Sequence, residues 1–120
     1  MITVYGLKTC DTCRKALAWL KDEKVAHRFV DVRADGIAKS DVSRFARAVG
    51  WEKLLNKAST TWRELDESVK SNLTEGLAVA LMVEHPTLIK RPVFDMGKDG
   101  NKIVSGFRDA EKAAVKAASK

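Results

Sequence analysis

Ile2-Thr3-Val4-Tyr5-Gly6-Leu7-Lys8-Thr9-Cys10-Asp11-Thr12-Cys13-Arg14-Lys15-Ala16-Leu17 changes its period halfway along. Residues 2–5 are a short β-rich run, and Gly6 to Thr9 read as a loop. From Asp11 the apolar positions recur at three and four. Cys13, Ala16, Leu17 and Leu20 form one stripe of an amphipathic helix. Asp11 or Thr12 is placed to cap that helix, which should end near Glu23-Lys24. A second β run follows, His27-Arg28-Phe29-Val30-Asp31-Val32, and then a polar loop, Arg33-Ala34-Asp35-Gly36. A helix joining two neighbouring strands predicts a βαβ unit with a parallel pair. A C-x-x-C beside such a unit reads as a thioredoxin-like redox motif, so the fold class expected is α/β.

Outward from that unit the chain turns helical. Ser40 precedes Val42, Phe45, Ala46 and Val49, and Gly50 stops that helix. Trp51 to Leu55 reads as a turn or two. Thr61 is placed to cap a short helix from Trp62 to about Asp66, and Thr74 to open another that His85-Pro86 ends. Beyond Arg91-Pro92, the runs Val93–Met96 and Lys102–Ser105 flank Lys98-Asp99-Gly100-Asn101 as a hairpin. Asp109 is placed to cap a last helix reaching about Ala118.

The chain has 120 residues, 45% hydrophobic and 32% charged, which is one globular domain's worth. No run approaches the ~18 apolar residues of a membrane span. The N-terminus lacks the basic and apolar segments of an export signal, so the expected location is cytoplasmic. With Cys10 and Cys13 the only cysteines, a disulfide scaffold is excluded. His27 and His85 lack zinc-site spacing, so no metal is expected, and neither is assigned as a base. The charge of +6 is spread along the chain and interleaved with acids. It argues for a solvated basic surface rather than nucleic-acid binding, with room for one local anion site. Trp19, Trp51 and Trp62 read as packing residues.

A thiol attacks as its thiolate. A helix N-terminus favours that form, as do cations, and Lys8, Arg14 and Lys15 lie close in sequence to Cys10. Cys10 therefore reads as the nucleophile. Cys13, one turn on, reads either as the thiol that resolves a mixed disulfide or as a small buried hydrophobe. Pro92, opening a β run after a loop, is a candidate cis-proline. Arg91 is a candidate for bidentate binding of an oxyanion or of a glutathione carboxylate.

The segments Tyr5–Ala16, Gly50–Lys57, Thr60–Glu67, Leu88–Val93 and Val104–Phe107 resemble the arsenate reductase/Spx family, and within it the YffB-type proteins. The resemblance covers nearly the whole chain. It implies a thioredoxin-like (glutaredoxin-like) fold with a helical insertion between the second and third strands. On that reading 1–120 is one domain, with 1–37 and 86–120 as core and 38–85 as insertion. It implies a cis peptide at Arg91-Pro92 and Cys10 at the family's nucleophile position. It also implies a bacterial thiol oxidoreductase that binds no cofactor and uses glutathione as co-substrate. Lys8, Thr9, Thr12, Arg14, Arg63, Arg91 and Pro92 are the candidates to bind it. The family's arsenate reductases use three arginines with their cysteine. Here only Arg91 matches; Asn56 and Ser105 stand at the other two positions, with Arg63 and Arg108 as possible substitutes. They also lack a residue equivalent to Cys13, whereas Spx-type regulators carry C-x-x-C as a redox switch. Three readings follow: a glutathione-dependent thiol–disulfide reductase, an Spx-like regulator docking on the RNA polymerase α-subunit, and an arsenate reductase. The molecule is expected to be a monomer without nucleic-acid or membrane partners.

Overall fold

The N-terminal β run becomes strand β1, Ile2–Gly6, in a computed structural model that describes residues 2–96 and 102–118. Helix α1 follows at Asp11–Asp22, and β2 at His27–Asp31. Five helices come next: α2 Lys39–Val49, α3 Trp51–Leu54, α4 Thr60–Glu64, α5 Glu67–Ser71 and α6 Glu75–Glu84. A 3-10 turn at Pro86–Leu88 leads into β3, Val93–Asp95; β4 is Ile103–Ser105 and α7 is Asp109–Ala118. The expected turn at 98–101 lies outside the described residues.

The sheet order is β2-β1-β3-β4. β1 and β2 are parallel, with Ile2 opposite His27 and Gly6 opposite Asp31. β3 runs antiparallel to β1 and pairs Val4 with Phe94; β4 runs antiparallel to β3 and pairs Phe94 with Val104. β4 is thus parallel to β1. One end of the sheet collects the loop after β1, the end of β2, the Arg91-Pro92 segment before β3 and the residues after β4. The fold is thioredoxin-like, with its helical insertion between β2 and β3.

Side chains alternate across the sheet with period two, and each face has its own core. Ile2, Val4 and Phe94 face α1 and α7, packing with Ala16, Leu20 and Val115. Tyr5, Val93 and Ile103 face the insertion and pack with Val42, Phe45, Leu54, Val79 and Met82. Phe45 is fully buried, and burial of such a side chain stabilises by about 1.5–3 kcal/mol. Its ring meets that of Tyr5 edge-on, with centroids 4.9 Å apart.

Several helix starts differ from the expected ones, each for a local reason. Cys10, not Asp11 or Thr12, caps α1: its backbone is extended, and its carbonyl accepts the first helical bond from Arg14 N–H at 3.0 Å. Ser59, not Thr61, caps α4, accepting from Trp62 N–H at 3.1 Å. The Thr61 hydroxyl bonds Thr87 instead. Helix α5 was not anticipated from the sequence; at five residues it is too short to show a period. Thr74 caps α6 as expected. Asp109 is the first residue of α7 rather than its cap. Arg108 occupies the cap position, its carbonyl accepting from Lys112 N–H and its own N–H donating to Glu111 Oε1 at 2.9 Å.

Candidate active site

β1 delivers the chain to the site and α1 carries it away. Between them Cys10 N–H donates to the Leu7 carbonyl at 3.1 Å, closing a tight loop. Cys10 is partly exposed and Cys13 is buried; both are free thiols. Cys13 lies on the apolar stripe beneath the loop, directly against Gly6. A Cβ at position 6 would meet Cys13 Sγ at 2.6 Å and Cys13 Cβ at 3.3 Å, so only glycine fits where β1 ends.

The two sulfurs sit in opposed environments. Burial pushes the Cys10 thiol up, but it is outweighed. The Cys13 N–H, the Cys13 thiol, the Arg91 charge and the Thr12 N–H all favour the thiolate, and the net shift is downward. The neutral Cys10 thiol makes no capping hydrogen bond, so these helix-start amides stand open to negative charge at the sulfur. Burial is also the largest influence on Cys13. With the neighbouring Cys10 charge, and against the Leu7 N–H, it pushes that thiol up to about 11. One thiol of the pair is poised to ionise and the other to hold its proton.

Arg91 is the cation that acts on both sulfurs. Its Nη1 donates to the carbonyls of Thr87 (2.8 Å) and Ile89 (2.9 Å), which fixes the guanidinium against its own loop. Its Nε is buried with no partner among the described residues. Arg91-Pro92 is a cis peptide, and Pro92 is buried with its carbonyl accepting from Gly106 N–H at 2.8 Å.

The other candidates differ in what they contribute. Lys8 takes part through its backbone: its N–H donates to Asp31 Oδ2 and its carbonyl accepts from Arg14 Nε at 3.1 Å. Thr12 contributes its amide, while Thr9, Arg14 and Lys15 are exposed. Arg63 is also exposed and reaches the Ala58 carbonyl at 3.4 Å, within its own segment. Asn56 Oδ1 accepts from Ala58 N–H, and Ser105 Oγ donates to the Lys90 carbonyl at 2.6 Å, so both short side chains are engaged in loop bonds. Among the described residues no cluster of His, Cys, Asp or Glu is arranged to hold a metal.

Asp31 escaped the sequence reading. It is buried at the end of β2 and accepts from the N–H groups of Lys8 (3.0 Å), Arg33 (2.9 Å) and Ala34 (2.9 Å). The Ala34 bond, opposed by burial and helped by the bonds from Lys8 and Arg33, holds its carboxyl below the usual range. Its signal in the sequence was an acid closing an apolar strand just before a turn, a position shared by many surface residues.

A half-exposed thiol at a helix start, a buried thiol one turn on, a cis-proline loop and an adjacent arginine, all at one end of this sheet, define a thioredoxin-like protein of the cysteine-dependent kind. The chain belongs to the ArsC family, whose model matches residues 5–115. An uncharacterized protein of Haemophilus influenzae is 45% identical over 96% of this chain and 98% of its own. A solved YffB protein is 42% identical, covering 96% of this chain and 99% of that one, with a TM-score of 0.87. An arsenate reductase (ArsC) related protein from Brucella melitensis is 41% identical, covering 94% and 92%, with a TM-score of 0.73. The global transcriptional regulator Spx of Bacillus subtilis is 25% identical over 92% of this chain and 83% of that one. The chain is thus an arsenate reductase-like and Spx-like protein.

Proposed function

We propose that this protein is a glutathione-dependent thiol–disulfide reductase in which Cys10 attacks and Cys13 resolves. The observation that carries the reading is the placement of the two free thiols, Cys10 part-exposed at the start of α1 and Cys13 buried one turn on, which tunes Cys10 down and Cys13 up. In the first step the Cys10 thiolate attacks one sulfur of a substrate disulfide. A Cys10–substrate disulfide forms, the substrate S–S bond breaks, and the departing thiolate takes a proton from solvent. Cys10 is then uncharged and no longer accepts the Cys13 proton, so two of the influences that hold Cys13 protonated disappear. Cys13 loses its proton and attacks Cys10 Sγ, which forms the Cys10–Cys13 disulfide and releases the second substrate thiol. The substrate disulfide gains two electrons and the cysteine pair loses two. Two glutathione thiols reverse the oxidation and leave as oxidised glutathione. Free thiols competent for this cycle fit a reducing, cytoplasmic compartment.

Arsenate reduction finds less support. The family positions that would add two arginines hold Asn56 and Ser105, both engaged in loop hydrogen bonds, and Arg91 Nη1 is committed to two carbonyls. The test is intact mass after incubation of reduced protein with oxidised glutathione. A glutathione adduct or a Cys10–Cys13 disulfide, absent in Cys10→Ser, is the expected result. Failure to form either species across a range of redox buffers overturns the reading.

A further inference from the structure

A cavity of about 550 Å³ opens beside the edge strand β4, at the end of the sheet that also carries Cys10. Neither Cys10 nor Arg91 lines it. Three cations do, each from a different segment: Lys53 of α3, Lys90 before β3 and Arg108 after β4. Among the described residues none of these three side chains makes an ion pair or a hydrogen bond. The carboxylate in the lining, Glu111, has Oε1 taken by Arg108 N–H, where it caps α7.

The walls are set by backbone bonds rather than by the charged side chains. Lys90 N–H donates to the Leu54 carbonyl at 2.8 Å, and Ser105 Oγ to the Lys90 carbonyl at 2.6 Å. Gly106 N–H reaches the Pro92 carbonyl at 2.8 Å. Gly106 has φ +108°, and a Cβ there would meet Glu111 Oε1 at 3.0 Å and stand 4.0 Å from Lys90 Cε. Three like charges are therefore presented around one hollow by a frame that does not depend on them. Such a cluster repels itself until an anion enters, and among the described residues Glu111 is the one carboxylate of the lining that offsets it.

We propose that this cavity is a binding site for a small, multiply charged oxyanion, held by Lys53, Lys90 and Arg108. The ligand chemistry is that of a phosphate ester or a polycarboxylate. A volume of this size holds a small metabolite rather than a bare ion.

Calorimetric titration with pyrophosphate and with citrate, at fixed ionic strength, tests the assignment. The expected result is saturable single-site binding of at least one probe. Tighter pyrophosphate binding assigns a phosphate ligand, and tighter citrate binding a polycarboxylate. Lys90→Gln/Arg108→Gln should bind about tenfold more weakly. Lys21→Gln/Lys24→Gln, the same loss of charge near the far end of α1, should stay within about twofold of the parent. Glu111→Gln, which keeps a capping oxygen but removes the opposing charge, should bind more tightly. Lys53→Gln, whose side chain makes no hydrogen bond, should weaken binding even if the double variant does not fold. Unsaturable binding of both probes overturns the proposal. Equal losses in the cavity and control pairs do the same, because diffuse surface charge then accounts for the attraction.

Discussion

Cys10 and Cys13 carry the same chemical group one helical turn apart, and their surroundings separate them. Cys10 has open helix-start amides and the Arg91 charge; Cys13 has a dry packing site. Alkylation of Cys10 by iodoacetamide against pH, measured by mass spectrometry, should rise with a midpoint below that of an unperturbed cysteine. Arg91→Gln removes a cation that favours the thiolate, so its midpoint should move up. A midpoint unchanged in Arg91→Gln would show that the guanidinium does not act on the sulfur. Gly6 sets the other half of the pair. Gly6→Ala puts a methyl group into Cys13 Sγ, and overpacking of this kind costs about 1–3 kcal/mol. Because the obstruction is largely one sulfur atom, Cys13→Ala should relieve part of the cost. Urea denaturation of both single variants and the double should therefore give a favourable coupling energy. Additive losses would place the strain elsewhere.

Elements meet at the site through Asp31, which ties the end of β2 to the loop between β1 and α1. Asp31→Asn should destabilise by about 1.5–3 kcal/mol near neutral pH, the usual worth of hydrogen bonds to a charged group. The folded protein holds this carboxyl below its unfolded value of about 3.9. Its contribution is therefore fully present above that pH and is lost as pH falls through the lower, folded value. The gap between parent and Asp31→Asn in urea midpoint should narrow on acidification below about pH 4. A constant gap would mean that the charge is not what stabilises the loop. This element-level tie also marks where sequence reading runs out. α1 and α2 carry regular apolar stripes that report their own burial, whereas α6 is apolar nearly all round and leaves Leu77 exposed. The cap at Cys10 and the one at Ser59 depend on which carbonyl accepts the first helical bond, a choice that flanking polar residues leave open. Asp31 takes its role from Lys8, 23 residues earlier, and a pairing of that kind leaves no local pattern.

The sheet is shared by two cores, and at the scale of the whole molecule it makes them one. Val4 and Tyr5 are neighbours in β1 yet belong to opposite faces, as do Phe94 and Val93 in β3. Neither face can lose its helices without exposing strand residues whose neighbours the other face still buries. The helical insertion should therefore unfold with the core rather than before it. Two tryptophans report the two sides: Trp19 packs on the α1 face, edge-on to Phe107, and Trp51 on the insertion face. In Trp51→Phe/Trp62→Phe only Trp19 remains, and in Trp19→Phe/Trp62→Phe only Trp51. Within each variant, the urea midpoint read by fluorescence should coincide with that read by far-ultraviolet circular dichroism, as one cooperative transition requires. A Trp51 signal lost at lower urea than the circular dichroism would instead make the insertion a separate unit. Because α3 carries both Trp51 and the Lys53 wall of the cavity, that outcome would also mean one wall of the proposed anion site can open while the Cys10 loop stays folded.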